Sequence, residues 1–177
     1  ITGKRHPFAY EYDVGFDDSG RITGLQLEML VNCGFSADLS GPVADRAIFH
    51  ADNAYFLSDV EIASYRCKTN TQSHTAFRGF GGPQGVIVIE AIIGDIARQL
   101  GRDAFDVRLH NLYDADPQGP RSLTHYQMRV EDNILHALLP TLAESADYRA
   151  RQAEIAAWNA GQPIIKRGLA ITPVKFG

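Results

Sequence analysis

The chain has only two cysteines, Cys33 and Cys67, among 177 residues, and their spacing fits no metal site. A disulfide-stapled secreted scaffold is therefore excluded, and a reducing, cytoplasmic compartment is the simplest expectation. No apolar run approaches the roughly 18 residues that a membrane span needs. The opening Ile1-Thr2-Gly3-Lys4-Arg5 is followed by no apolar stretch of the secretory kind. An excess of positive charge is missing too, since the formal net charge is -4. Lysines and arginines are scattered, with short pairs such as Lys4-Arg5 and Lys166-Arg167. Phosphate contacts need clustered cations, so no nucleic-acid partner is expected. There is no initiating methionine, and the sequence stops at Lys175-Phe176-Gly177, as expected of a piece of a longer polypeptide. Internal repeats and low-complexity segments are absent.

What is present is ordinary globular composition, 45% apolar and 21% charged, in a length that supports one domain with a hydrophobic core. Phe8, Tyr10, Tyr12, Val14 and Phe16 alternate with polar or small residues. Leu25, Leu27, Met29 and Val31 resume that period after an Asp17-Asp18-Ser19-Gly20 turn. The pattern predicts a β-hairpin with one face on the core. Pro42 is placed to open a short helix running to Asn53, and Val60, Ile62, Ser64 and Arg66 suggest a further strand. Pro83 begins a strong helical stripe, Val86, Ile89, Ile93, Ile96, Ala97 and Leu100, which Gly101 stops. A second helix is expected over 102–111. Further helices are expected over 130–146, interrupted by Pro140, and over 147–160, stopped by Gly161. Residues 164–174 alternate as a strand would. This order favours an α+β fold, an antiparallel strand pair with helices, over regular βαβ alternation. Three portions are expected: 1–113 around a glycine-rich loop, a linker over 114–130, and a helical segment over 131–177 leading into a next strand.

The stretch that bears on chemistry is Thr75-Ala76-Phe77-Arg78-Gly79-Phe80-Gly81-Gly82-Pro83-Gln84-Gly85. Its glycines permit positive φ and close backbone approach, and a helix N-terminus follows directly. By pattern alone this reads either as an ordinary turn or as a cradle for an anion or cofactor. It has neither the Lys-Ser/Thr pair of a phosphate-binding P-loop nor the spacing of a dinucleotide fingerprint, so a generic nucleotide loop is disfavoured. The six histidines, His6, His50, His74, His110, His125 and His136, form no helical ligand pair and no cluster with cysteine, so no protein metal ligand is expected.

The same stretch resembles the signature of the molybdenum-cofactor portion of the xanthine dehydrogenase/aldehyde oxidase family. Further pieces match in order. They are Gly3-Lys4-Arg5-His6-Pro7-Phe8, Ala37-Asp38-Leu39-Ser40, Asp45-Arg46-Ala47-Ile48-Phe49-His50, Cys67-Lys68-Thr69-Asn70, Asn111-Leu112-Tyr113, Leu123-Thr124-His125-Tyr126 and Arg167-Gly168-Leu169-Ala170-Ile171. His74 departs from the pattern, standing where the family often has asparagine.

The resemblance implies oxidative hydroxylation of hypoxanthine or xanthine towards urate, on molybdenum held by a pterin dithiolene. It implies electron flow through iron–sulfur clusters and FAD to NAD, carried by other domains or a partner subunit. Arg46 would be the catalytic and substrate-binding arginine facing a purine, although pattern alone favours a surface arginine. Phe80 would contact the flat substrate ring, and without the resemblance it reads as a core phenylalanine. Arg78 would lie beside the molybdenum centre, with Phe77 and Gly79 shaping that cofactor loop. Glu28, Glu61, Glu90, Glu131, Glu144 and Glu154 match neither glutamate of the family's active site. The chain is thus expected to supply one wall of a site, to carry no cofactor when isolated, and to be inactive alone. An aldehyde oxidase-type enzyme, or a segment with only a folding and assembly role, are the alternatives. The expected partners are the remaining molybdenum-domain segments and the iron–sulfur/FAD portion.

Overall fold

The strand alternation read in the sequence becomes a hairpin because one face of it meets a helix. The structure, a computed structural model, describes residues 3–176; Ile1, Thr2 and Gly177, at the ends of the expected portions, lie outside the described residues. Strands β1 (Phe8–Phe16) and β2 (Ile22–Gly34) pair antiparallel with Tyr12 opposite Leu27. Asp17 closes the turn, its side chain accepting from the backbone N–H groups of Ser19 (2.8 Å) and Arg21 (3.1 Å). Leu25, Leu27, Met29 and Val31 are all buried, while Thr23 and Gln26 on the opposite face are exposed.

Helix α1 (Ser40–Phe49) follows β2, and β3 (Val60–Lys68) then returns parallel to it, so β2 is the central strand of the order β1-β2-β3. Parallel pairing requires a crossover, which α1 provides. The helix starts two residues before Pro42 and ends at Phe49. The chain then passes through turns at 51–54 instead of continuing to Asn53. Ser40 is buried, with its hydroxyl bonded to His6 Nε2 at 2.8 Å, which fixes the earlier start.

Helix α2 (Gly82–Leu100) carries Ile89, Ile92, Ile93 and Ile96, none exposed, onto the sheet. Each such side chain contributes about 1.5–3 kcal/mol through burial. Gly101 ends α2 in the left-handed conformation expected of a C-terminal glycine. Helix α3 (Ala104–Asn111) is capped by Asp103, which accepts from Phe105 N at 2.9 Å, and packs on α2.

Residues 114–130 are a run of turns closed by a bridge between Leu123 and Arg129. Helix α4 (Leu135–Ser145) starts later than 130, where Asn133 accepts from Leu135 N, and it runs through Pro140 without a break. Pro140 is exposed, as is His136, whose carbonyl the proline leaves without its helical donor. Helix α5 (Tyr148–Gly161) follows. The expected strand over 164–174 forms no ladder among the described residues. Its alternation instead matches alternate burial of Ile171 and Pro173, held by side-chain bonds from Gln152 to the Leu169 carbonyl and from Asn53 to the Pro173 carbonyl. No helix is long and apolar enough to cross a membrane among the described residues.

Candidate functional site

The glycine-rich loop is pressed against α1, and that contact builds the site. Gly79 (φ +91°), Phe80 (φ +49°) and Gly81 (φ +101°) are successive left-handed residues just before α2. Left-handed backbone costs a non-glycine residue about 1–3 kcal/mol unless its surroundings hold it. Here Phe80 N–H donates to the Phe77 carbonyl at 2.7 Å. A Cβ on Gly81 would overlap the carbonyl oxygen of Val43 in α1, and one on Gly85 the carbonyl oxygen of Ala47. The glycines therefore let α2 begin in backbone contact with α1.

That approach brings Arg46 of α1 and Phe80 of the loop, 34 positions apart in sequence, to one open cavity of about 470 Å³. Pro42, Phe49, Tyr126 and Met128 form other parts of its wall. Phe49 and Tyr126 meet edge to face at 4.9 Å between ring centres, an arrangement favoured by their quadrupoles. A larger depression of about 620 Å³ lies over Gly15, Gly24 and Val60, but it contains none of the motif residues and no convergent chemistry. The smaller cavity is the candidate site.

Electrostatically the cavity wall combines charged side chains with neutral rings. Arg46 supplies the guanidinium. His50 Nδ1 donates to the Arg46 carbonyl at 2.9 Å, and His125 Nε2 donates to the Ile48 carbonyl at 2.9 Å. Burial holds both imidazoles below the usual histidine value, so they are neutral at pH 7. Asp45, also on the wall, pairs with Arg66 of β3. Aromatic wall and guanidinium together suit a flat ligand with a carbonyl or anionic edge turned towards Arg46.

Phe77, Arg78 and Gly79 lie away from this cavity, on the other part of the loop. Phe77 and Arg78 are exposed. There Arg5 Nη2 donates to the Arg78 carbonyl at 2.6 Å, and its guanidinium lies 4.5 Å from the centre of the Phe77 ring. His74, the departure from the family pattern, is buried 5.8 Å from His6 between ring centres. Among the described residues no three His, Cys, Asp or Glu side chains are grouped to hold a metal ion.

Sequence reasoning gave no role to Arg5, Phe49, Tyr126, Met128 or Phe176. Arg5, Phe49 and Tyr126 stand inside pieces that match the family in order, and that was the available signal. Nothing in the local pattern marks Met128 or Phe176.

The molybdopterin cofactor-binding domain family matches residues 1–112. The chain is 42% identical, over all 177 residues, to the xanthine dehydrogenase of Drosophila subobscura. It is 39% identical over 176 residues, 99% of its length, to the nicotinate hydroxylase of Emericella nidulans. In each case it spans 13% of the relative's length. Among solved structures, the aldehyde oxidoreductase from Desulfovibrio desulfuricans superposes with a TM-score of 0.77 over 90% of this chain and 17% of that one. At 22% identity this is a likeness of fold.

Proposed function

The chain belongs to the molybdopterin cofactor-binding domain family, and on that premise we propose that it forms one wall of a molybdenum hydroxylase active site acting on hypoxanthine or xanthine. The observation that carries this reading is the meeting of Arg46 and Phe80 at one cavity.

The loop suits the cofactor. It presents the exposed Arg78 guanidinium beside the N-terminus of α2, a pairing of positive charge that favours an anionic organic group over a bare cation. The left-handed backbone at Gly79 and Gly81 folds the loop closely onto Pro83 and α1, which fixes where Arg78 sits. Arg78, Gly79 and Phe77 are the residues proposed to hold the group. The chemistry supplied by bound molybdenum–molybdopterin is oxidative hydroxylation of an electron-poor ring carbon. Electrons would leave through iron–sulfur clusters and FAD in other parts of the assembly, with NAD as acceptor. A cytoplasmic setting is supported by two free cysteines, Cys33 and Cys67.

Within this chain, Arg46 hydrogen-bonds a ring carbonyl and offsets negative charge that develops on the ring during attack. Phe80 orients the ring by aromatic contact worth about 0.5–1.5 kcal/mol beyond burial. Phe49, Tyr126 and Met128 supply further apolar and aromatic wall against which a flat ring can lie. None of the cavity-lining side chains is a glutamate. Glu90, on α2, is engaged by Asn53, Tyr55 and Arg108. The family resemblance implies that proton abstraction belongs to a glutamate that none of the glutamates of this chain matches.

A second reading, hydroxylation of a heteroaromatic acid, is favoured by the likeness to a nicotinate hydroxylase. Arg46 would then pair a carboxylate. Turnover of xanthine, nicotinate and an aromatic aldehyde by the full-length polypeptide, loaded with cofactor, separates these readings. Xanthine as the substrate of highest kcat/KM supports the first; nicotinate replaces it with the second.

A further inference from the structure

We propose that Phe176 is a positioning residue for Arg46, and through it a determinant of substrate choice; the inference rests on the substrate-facing role proposed for Arg46. The Arg46 guanidinium carbon lies 4.8 Å from the centre of the Phe176 ring. The ring also meets His50, at 5.1 Å between centres. Helix α2 leaves space for it, because a Cβ on Gly82 would come within 2.7 Å of Phe176 Cε2.

The ring is 57% exposed, so burial is not what holds it. The chain just before it is fastened to the turn that follows α1. Asn53 Nδ2 donates to the Pro173 carbonyl at 2.9 Å, and Lys175 N donates to Asn53 Oδ1 at 3.1 Å. Lys175 Nζ pairs with Asp52 Oδ2 at 2.6 Å and reaches Tyr126 Oη at 3.2 Å. Asp52 is fully buried and also accepts from Tyr113 Oη at 2.6 Å. A buried carboxylate strongly favours retention of its cation, so Lys175 is held in place and Phe176, the next residue, is delivered to Arg46.

The physical consequence falls on the long, flexible arginine. A guanidinium with an aromatic face on one side samples fewer orientations than the same guanidinium without that face, and so loses less freedom on binding. Phe176 therefore favours substrates that use the guanidinium, those with a ring carbonyl or an anionic edge, and is indifferent to plain aromatic aldehydes.

The test uses the cofactor-loaded full-length enzyme and the purine-to-aldehyde ratio of kcat/KM. Phe176→Leu is expected to lower that ratio about tenfold, chiefly through KM for the purine, while Phe176→Tyr keeps it within about twofold. In an Arg46→Met background, Phe176→Leu is expected to change the ratio no further. An equal loss for both substrates, or losses that add in the double variant, would overturn the inference. Phe176→Met, a second side chain without a ring, serves if the leucine variant does not assemble. The Arg46→Met arm alone reports on the functional reading. An unchanged ratio there removes that reading, and the inference with it, independently of Phe176.

Discussion

Arg5 Nη2 donates a hydrogen bond to the carbonyl oxygen of Arg78 at 2.6 Å, joining the segment before β1 to the glycine loop across 73 residues. The same guanidinium lies over Phe77. One side chain thus ties two of the three residues proposed to hold the cofactor.

Arg5→Met should release this loop. The expected result is a several-fold lower molybdenum content per purified full-length polypeptide, with a stability loss of about 1–2 kcal/mol from the charged hydrogen bond and the ring contact. Arg5→Lys should recover little, because an ammonium cannot both stack on the ring and present a planar fork. Metal analysis and thermal unfolding measure the two effects. Full molybdenum content in Arg5→Met would remove the loop-holding role.

Gly81 and Gly101 offer a controlled comparison. Both are left-handed, but a Cβ on Gly81 would strike the Val43 carbonyl, whereas Gly101 faces open space. Gly101→Ala should cost about 1 kcal/mol from backbone strain alone. Gly81→Ala should cost more than about 2 kcal/mol, because α1 and α2 must also move apart. Equal losses in denaturant unfolding would mean that the loop is not pressed on α1 as described.

Stability should fall with acid below neutral pH. Burial holds His6, His50 and His125 below the usual histidine value; His74 adds to the effect at His6, while contacts such as Asp52 at His125 partly oppose it. The unfolded chain therefore binds more protons than the folded one as pH drops. Stability from these groups is fully present above the unfolded value near 6.5 and is lost as pH falls below it towards the folded values. The denaturant midpoint should be lower at pH 5.5 than at pH 7.5. An unchanged midpoint would contradict the burial of these rings.

Glu90 should behave as a structural residue. Its Oε1 accepts from Asn53 (2.9 Å) and Tyr55 (2.5 Å), and its Oε2 from Arg108 (2.8 Å), whose side chain is 8% exposed. Glu90→Gln leaves a buried guanidinium uncompensated and should cost about 3–5 kcal/mol. A loss of activity larger than the loss of folded protein would instead give Glu90 a part in the chemistry.

The hairpin and α2 were legible because each buries one continuous face, and a period of two or 3.6 reports burial directly. Leu25, Leu27 and Met29 share one buried cluster with Ile89, Ile92 and Ile93, so both patterns follow from one core. The parallel pairing of β3 was not legible, since alternation carries no information about a neighbour's direction. The tail misled for a related reason: Ile171 and Pro173 alternate inward against helices and turns without any strand beside them. At the site, Phe80 and Arg46 were singled out through family resemblance, and their meeting depends on Gly81 and Gly85, whose close approach to α1 is a tertiary fact. Phe176 reaches Arg46 only because Asp52 and Lys175 pair across 123 positions, and no local pattern encodes such a distance.

The most direct measurement of the central claim is the purine-to-aldehyde ratio of kcat/KM for the full-length, cofactor-loaded enzyme and its Arg46→Met variant. Loss of a preorganised donor facing developing charge typically costs about 100- to 1000-fold. The ratio is therefore expected to fall by about 100-fold or more. A ratio unchanged by the substitution would contradict the placing of Arg46 against the substrate, and with it the purine assignment.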